Sequence, residues 1–271
     1  MSSSALKNNL SRQLARHFPR FWMERELRVR PNHFEPEFWL VNIFCDPRKT
    51  SIDIGANMGH YSYYMAKFSR NVIAFEPNRD LWNDLRRLLG RNVRLESAAL
   101  SRTSTKAVIR IDRHNTGVAT IEQANDLACV EDKSDIVTRE IETRTLDSFN
   151  FSDISMIKID VEGHEEAVLE GARETIRRNQ PALIVESEDR HNQGAPRRIA
   201  ESLATLGYLG FYLKDGRLCD FSTLRPEDTD PKNLDTGFPY INNFIFIPAA
   251  QPETIARVRA HRAGSPASPH S

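Results

Sequence analysis

A glycine-bearing turn between a buried strand and a helix constrains this chain more than any other feature. Residues 53–59 read Asp-Ile-Gly-Ala-Asn-Met-Gly, after an apolar strand end at 50–52 and before a tyrosine-rich stretch at 61–68 with helical spacing. A strand, a glycine turn and a helix form a ligand pocket, because glycine lets the backbone approach a bound molecule closely. We therefore predict a nucleotide-type pocket at this turn.

The turn differs from the dinucleotide-binding pattern G-x-G-x-x-G. A dinucleotide needs glycines and free N–H groups around its pyrophosphate at a helix N-terminus. Here the turn opens with the carboxylate of Asp53, which suits a ligand that carries positive charge. S-adenosylmethionine (SAM), with its ammonium and sulfonium groups, is such a ligand. An NAD-dependent oxidoreductase is the weaker alternative, because the three-glycine loop is missing.

The composition is that of a globular protein with one large α/β domain. Of the 271 residues, 39% are hydrophobic and 27% are charged, which is enough for a substantial core. Lysine plus arginine and aspartate plus glutamate both total 37, so no global charge favours nucleic acid or an anionic membrane. Cys45, Cys129 and Cys219 are far apart, which favours reduced thiols over disulfides or zinc. Because no apolar run approaches the roughly 18 residues of a membrane span, we expect a cytoplasmic protein.

Predicted strands and helices alternate along most of the chain. Short apolar runs mark strands at 72–75, 93–95, 156–159, 182–185, 209–213 and 244–247. Strands separated by about ten to fifteen residues of helical spacing indicate a mostly parallel, doubly wound sheet with helices on both faces. We therefore predict an α/β fold.

Three segments lie outside this regular alternation. Residues 1–48 are predicted to form a helical arm or cap that packs on the domain at 49–250, with a surface-binding arm as the alternative. Residues 107–145 predict β segments around a polar loop at about 114–135, which we interpret as an insertion near the site. The end of the segment 251–271 is small and proline-rich, so we expect a disordered tail.

Three positions beyond the glycine turn would complete a nucleoside pocket. Glu76 ends the second predicted strand, about 20 residues after the turn, where a carboxylate can accept both ribose hydroxyls of an adenosine. Ser97 and Ala98 follow the third strand, and their small side chains leave room for an adenine ring. An exposed carboxylate at a strand end and a tight strand-to-loop corner are the alternative interpretations.

Acidic side chains also follow two later strands. Asp160 and Glu162 come directly after the strand at 156–159, and ligands in open α/β sheets bind beyond the carboxyl ends of strands. Both residues are therefore expected where cofactor meets substrate. Glu186 ends the next strand and His191 follows it, so either is a candidate general base. A solvated polar loop is the alternative for this pair.

Metal binding has one candidate ligand set and one excluded pattern. Asp160, Glu162 and Glu186 could hold magnesium, which prefers oxygen ligands and would lower the pKa of a bound hydroxyl. His164 precedes two glutamates, but Val168 stands where the zinc motif H-E-x-x-H needs its second histidine. Our principal hypothesis contains no metal.

Taken together, these motifs resemble those of the FkbM family of SAM-dependent methyltransferases. The resemblance covers about residues 50–190 and continues more weakly to Pro248. It rests on six stretches in the family's order: Asp-Ile-Gly-Ala-Asn-Met-Gly-His-Tyr at 53–61, Ala-Phe-Glu-Pro at 74–77, Thr-Leu-Asp at 145–147, Ile-Lys-Ile-Asp-Val-Glu-Gly at 157–163, Val-Leu-Glu-Gly-Ala at 168–172 and Pro-Ala-Leu-Ile-Val-Glu at 181–186.

The resemblance implies a Rossmann-like class I methyltransferase sheet, usually of seven strands, with an antiparallel last strand. It implies SAM as the cofactor, with Glu76 at the ribose, Ser97 and Ala98 at the adenine and Asp160 on the sulfonium side. The full set of implied SAM-pocket residues is Asp53, Gly55, Asn57, Gly59, Tyr61, Glu76, Pro77, Ser97, Ala98 and Asp160.

The family also implies O-methylation of a hydroxyl on a sugar, a glycan or a glycosylated natural product. The expected partner is therefore a small-molecule or glycan acceptor, without nucleic acid or an integral membrane. Two alternatives stay open. One is a SAM-fold binding module that transfers nothing, and the other is a methyltransferase that acts on nitrogen or on a protein. The oligomeric state is not predicted.

Overall fold

The fold is taken from a computed structural model, which describes residues 17–115, 119–123, 125, 127, 130, 132–235 and 240–261. The helices are α1 (Pro19–Val29), α2 (Val41–Phe44), α3 (His60–Met65), α4 (Trp82–Leu88), α5 (Glu165–Glu170), α6 (Arg173–Asn179), α7 (Ala195–Ala204) and α8 (Pro252–Ala260). The strands are β1 (Thr50–Ile54), β2 (Asn71–Phe75), β3 (Val93–Glu96), β4 (Ala99–Leu100), β5 (Thr105–Asp112), β6 (Ala119–Thr120), β7 (Ile136–Arg144), β8 (Ile154–Ile159), β9 (Ala182–Glu186), β10 (Tyr208–Lys214), β11 (Arg217–Asp220) and β12 (Asn243–Pro248). Within these ranges, every helix is too short or too polar to cross a bilayer.

The main sheet has eight strands in the order β11-β10-β12-β9-β8-β1-β2-β3. The five strands from β9 to β3 run parallel. β12 lies antiparallel between β9 and β10, and β11 adds an antiparallel strand at the edge. This topology confirms the predicted doubly wound, mostly parallel sheet with an antiparallel last strand.

Apolar layers cover both faces of the sheet, which is why its central strands are almost continuously hydrophobic. In β8, Ile157 and Ile159 face the core beneath α5, α6 and α7. Met156 faces the opposite core, which α1 to α4 and α8 cover. Because side chains alternate along a strand, Lys158 points to the same face as Met156. An ammonium is thus buried on this face of the sheet.

The described part of the predicted cap at 1–48 packs on this second face. α1, a 3₁₀ turn at Pro36–Leu40 and α2 cover it, and Phe38 stacks on Tyr64 with ring centroids 4.7 Å apart. Residues 1–16 of the predicted cap lie outside the described residues. The domain boundaries at 48 and 250 stay predictions.

The segment 107–145 is a long hairpin in which β5 pairs antiparallel with β7. These strands belong to a second sheet in the order β4-β7-β5-β6. Part of the loop predicted at 114–135 lies outside the described residues, but β6 within it pairs with β5. The β segments expected around a polar loop are therefore present.

The structure differs from the predicted disordered tail at Pro252–Ala260, which form α8. Val258 is 1% exposed and belongs to the core beside α2. A proline at the first turn favours a helix start, but the proline-rich composition of the following residues obscured this signal. Residues 262–271 lie outside the described residues.

A buried carboxyl group in the 3₁₀ turn predicts how stability depends on pH. Glu37 is 5% exposed, and burial, reinforced by the charge of Glu35, raises its pKa from 4.5 to about 8. Between these values the unfolded chain is ionised and the folded chain is protonated. The free energy of unfolding should therefore fall as the pH rises from about 5 to 8, by up to about 1.4 kcal/mol per pH unit from this group.

We expect the Glu37→Gln variant to show a shallower fall, measured by urea denaturation across this pH range. Glu253→Gln, at an exposed position in the first turn of α8, is the control and should keep the wild-type slope. Equal slopes for Glu37→Gln and the wild-type protein would contradict the prediction.

Candidate active site

Left-handed backbone shapes the turn between β1 and α3. Gly55 and Gly59 have φ of +81°, and Asn57 has φ of +46°. A Cβ atom at Gly55 would lie 1.8 Å from the carbonyl oxygen of Asp160, so only glycine lets the turn approach the end of β8 this closely. A Cβ at Gly59 would instead meet Leu85, so this glycine lets α3 pack against α4.

A crevice with about 630 Å³ of open space lies at the carboxyl ends of β1, β2 and β8. We call it the Glu76 crevice. Its polar wall contains Asn57, Glu76 and Asp160. The apolar wall comes from both sheets and consists of Ile54, Phe75, Pro77, Ala98, Ala99, Leu100, Ile109, Ala119, Ile121 and Val161.

The structure separates the two residues predicted at the adenine. Ala98 lines the Glu76 crevice. Ser97 instead lines a neighbouring depression, where its Oγ lies 3.4 Å from Nη2 of Arg79. The reason is the extended backbone around β3, in which consecutive side chains point in opposite directions.

Glu76 presents a largely buried carboxylate to the crevice. Its Oε2 accepts a hydrogen bond from the N–H of Asn57 at 2.8 Å, and its Oε1 accepts one from the N–H of Asn78 at 2.7 Å. Burial raises its pKa to about 7, although these two backbone bonds act in the opposite direction. Because each carboxylate oxygen has about two acceptor positions, Glu76 can accept two further hydrogen bonds from a bound ligand.

A second crevice adjoins the first, between the sheet and the N-terminal segment. We call it the Lys158 crevice. Gly55, Asn57 and Asp160 line both crevices, so the two are joined. The remaining lining residues are His33, Phe34, Glu35, Phe38, Asp53, Ala56, Met58, His60, Tyr61 and Lys158.

The predicted residues Asp53 and Tyr61 both lie in the Lys158 crevice and are both hydrogen-bonded. Asp53 is 1% exposed, and Ser62 Oγ donates a hydrogen bond to its Oδ2 at 2.6 Å. Burial raises the pKa of Asp53 to about 6, with Ser62 acting in the opposite direction. The Tyr61 hydroxyl donates to Glu35 Oε2 at 2.9 Å. The N-terminal segment thus contributes a carboxylate that the sequence analysis missed.

Lys158 is the second residue that the predictions omit. Its Nζ lies 3.6 Å from Asp160 Oδ2 and 3.6 Å from Glu186 Oε2, and 5.1 Å from the ring centroid of Tyr61. Burial disfavours the ammonium, but the carboxylates of Asp160 and Glu186 outweigh this effect and raise the pKa of Lys158. The sequence did contain a signal for Lys158, because a lysine between two isoleucines in an apolar strand is expected to be buried.

These residues do not fit the magnesium hypothesis. The Lys158 ammonium already supplies positive charge to Asp160 and Glu186, and it would repel a divalent ion bound between them. The third predicted ligand, Glu162, pairs with His191. In the part of the chain that the structure describes, no three acidic, histidine or cysteine side chains are grouped to hold a metal.

The structure brings the predicted residues Glu162 and His191 together. Glu162 Oε2 lies 3.4 Å from His191 Nε2, and Glu162 has left-handed backbone with φ of +53°. Burial, together with the charge of Asp160, raises the pKa of Glu162 to about 8. Burial and the neighbouring Arg190 lower the pKa of His191. Glu162 lines the Glu76 crevice, and His191 reaches the site through its contact with Glu162.

The described part of the predicted insertion holds the loop after β8. Thr120 Oγ1 and Asn125 Nδ2 both donate to the carbonyl oxygen of Glu162, at 2.8 and 2.9 Å. His164 Nδ1 lies 3.0 Å from Glu122 Oε2. His164, which has no zinc partner at position 168, therefore links the insertion to the start of α5.

Comparison with known proteins points to one enzyme family. The sequence profile of the Methyltransferase FkbM domain matches residues 53–212, which is more than half of the chain and contains the glycine turn, Glu76, Lys158 and Glu186. No curated protein matches the chain in sequence.

Several solved structures align with this chain at low sequence identity, with TM-scores below 0.5. Methyltransferase FkbM from Methylobacillus flagellatus KT is 15% identical with a TM-score of 0.48, over 78% of this chain and 50% of that one. An rRNA methylase from Streptococcus thermophilus is 13% identical with a TM-score of 0.43, over 81% of this chain and 95% of that one. Precorrin-6y C5,15-methyltransferase from Geobacter metallireducens GS-15 is 10% identical with a TM-score of 0.42, over 78% of this chain and 87% of that one. The present chain spans half the length of the Methylobacillus protein, and none of these identities is high enough to transfer an acceptor.

The close approach at Gly55 leads to a testable prediction. Gly55→Ala should destabilise the fold and abolish binding of S-adenosylhomocysteine (SAH), because the new Cβ would overlap the Asp160 carbonyl. Gly207→Ala is a matched control, since Gly207 has φ of +84° but open space around a Cβ. The control should lose only about 1–2 kcal/mol from the left-handed backbone and should retain SAH binding. Thermal unfolding and calorimetry would measure both effects, and equal behaviour of the two variants would refute the steric argument.

Proposed function

Because the chain belongs to the FkbM family of methyltransferases, we propose that it transfers a methyl group from SAM to a hydroxyl of a sugar, a glycan or a glycosylated natural product. The observation that carries this proposal is the junction of the two crevices at Gly55, Asn57 and Asp160. A donor in the Glu76 crevice and an acceptor in the Lys158 crevice would meet there.

The Glu76 crevice fits the nucleoside part of SAM. Ala98 and its apolar neighbours leave space for a planar base, and Glu76 retains free acceptor positions for the two ribose hydroxyls. The buried Oδ1 of Asn57 accepts no hydrogen bond from the residues that the structure describes, so it can accept one from the ammonium of the methionine part. Asp53 and Asp160 add negative charge that favours this cationic ligand. When bound, SAM supplies a methyl group already activated by its attachment to a positively charged sulfur.

The walls of the Lys158 crevice favour a polyhydroxy acceptor. Phe34 and Tyr61 offer aromatic surface against which the apolar face of a sugar ring can pack. Glu35 and Asp160 offer carboxylate oxygens that can accept hydrogen bonds from sugar hydroxyls. This combination of aromatic rings and acidic groups supports a carbohydrate acceptor.

Glu186 is the better of the two candidate bases. Burial and the charge of Asp160 raise its pKa well above the ordinary glutamate value, with Lys158 acting in the opposite direction. The Lys158 ammonium, 3.6 Å away, favours the carboxylate form of Glu186, which is the form that can accept a hydroxyl proton. Asn242 Nδ2 orients it by donating to Oε1 at 2.9 Å. We assign Asp160 to orienting the reactants, and His191 to holding Glu162 at the wall of the site.

The ribose assignment predicts an effect on cofactor affinity. Glu76→Gln should weaken SAH binding about 10- to 100-fold, because it removes charge-assisted hydrogen bonds worth about 1.5–3 kcal/mol. Glu96→Gln, at the end of the adjacent strand β3, is the control and should bind SAH within about twofold of wild type. Since burial raises the pKa of Glu76 to about 7, wild-type affinity should also fall as the pH drops below 7. Calorimetry that found equal affinities for Glu76→Gln and wild type would remove this assignment.

The enzymatic proposal is tested with labelled SAM and a panel of methyl glycosides. Wild-type protein should transfer label to a hydroxyl. Glu186→Gln should reduce the rate about 100-fold or more, as expected for loss of a general base, and His191→Ala should reduce it less. Both variants should retain wild-type SAH affinity. Protein that binds SAM but labels no acceptor would favour a binding module without transfer.

A further inference from the structure

The residues that the structure describes leave the hydrogen-bonding capacity of the Lys158 ammonium unused. Its side chain is 1% exposed, yet Nζ donates no hydrogen bond to any residue that the structure describes. Both ion-pair distances, at 3.6 Å, are too long for hydrogen bonds. Leaving donors of a buried charged group unmet is unfavourable, and Lys158 lines a crevice. These facts indicate a ligand atom that accepts a hydrogen bond from Nζ.

The charges around Nζ restrict what that ligand atom can be. Asp53, Glu35, Asp160 and Glu186 all act on Lys158 electrostatically, so a further carboxylate or phosphate would enter an anionic environment. An ammonium on the acceptor has no lone pair, so it could not accept a hydrogen bond from Nζ. A hydroxyl group fits, because its oxygen can accept from Nζ while its hydrogen is donated to a neighbouring carboxylate.

We propose that Lys158 is a catalytic residue that binds the acceptor hydroxyl oxygen and thereby selects oxygen over nitrogen acceptors. This inference rests on the proposed function. The hydroxyl proton passes to the Glu186 carboxylate as the oxygen lone pair forms the new bond to the methyl carbon. The methyl–sulfur bond breaks, and its electron pair stays on sulfur.

Lys158 keeps its own proton throughout and stabilises the negative charge that grows on the oxygen. A preorganised donor of this kind in a buried site typically accelerates a reaction about 10²–10³-fold. An amine acceptor would gain positive charge as its bond to carbon forms. The single lone pair of the nitrogen would be used in that bond, so the amine could not keep a hydrogen bond from Lys158 as a hydroxyl oxygen can.

The test compares Lys158→Met with Lys158→Arg, which keeps the charge but changes its reach. Lys214→Met is the matched control, since Lys214 Nζ pairs with Asp228 at 2.7 Å and lies outside both crevices. SAH affinity is measured first by calorimetry, and it should stay within about twofold of wild type in all three variants. Intact SAH affinity shows that the fold and the donor site survive the substitution.

Acceptor binding and transfer are then measured with defined probes. The probes are methyl hexopyranosides and the corresponding 2-amino-2-deoxy hexosides. Saturation-transfer NMR on SAH-bound protein measures their binding, and label transfer from SAM measures their methylation. Wild type should bind the hydroxyl probes and methylate oxygen. Lys158→Met should lose probe binding and transfer about 100-fold or more slowly. Lys158→Arg should be intermediate, and Lys214→Met should match wild type.

Three results would overturn the assignment of Lys158. In the first, Lys158→Met keeps its SAH affinity and transfers methyl groups at the wild-type rate. In the second, the enzyme methylates the amine of the amino sugars rather than a hydroxyl. In the third, Lys158→Met and Lys158→Arg both lose SAH affinity. Failure of the wild-type protein to bind SAM and SAH would have a different meaning, because it would overturn the proposed function itself.

Discussion

The contact between Gly55 and the backbone of Asp160 is the constraint on which the site depends. Gly55 and Ala56 donate hydrogen bonds to the carbonyl of Phe75 at 3.0 Å, and Asp160 donates to the carbonyl of Ile54 at 3.0 Å. The turn after β1 is therefore held against the ends of both neighbouring strands. Because a side chain at position 55 would overlap the Asp160 carbonyl, the junction of the two crevices exists only with glycine there.

Charge is distributed unevenly around this junction. Burial raises the pKa of Asp53 to about 6, of Glu76 to about 7 and of Glu162 to about 8, so the folded protein concentrates carboxyl groups that water no longer solvates. The buried ammonium of Lys158 lies among the carboxylates of the Lys158 crevice. Such perturbed groups cluster at functional sites more often than elsewhere. A ligand that carries a sulfonium and an ammonium would favour the ionised form of these carboxyl groups.

Two segments outside the central sheet enclose the crevices. The N-terminal segment contributes Phe34, Glu35 and Phe38 to the Lys158 crevice. The second sheet and the insertion contribute Ile109 and Ile121 to the Glu76 crevice. The carboxyl ends of the strands supply the groups common to both crevices. The flanking segments supply the remaining walls, so we expect them to limit the size and shape of an acceptor that can bind.

The sequence by itself determined the mostly parallel, doubly wound sheet, the glycine turn and the position of Glu76 at the end of the second strand. These features depend on local patterns, namely apolar runs of strand length, a turn that needs left-handed backbone and a carboxylate at a strand end. Only the tertiary structure decided that Lys158 lies between Asp160 and Glu186, that Ser97 points away from the crevice, and that residues 252–260 form a helix on the core. Those outcomes depend on which strands are neighbours and which faces are covered, and residues far apart in the chain meet only after the sheet has formed.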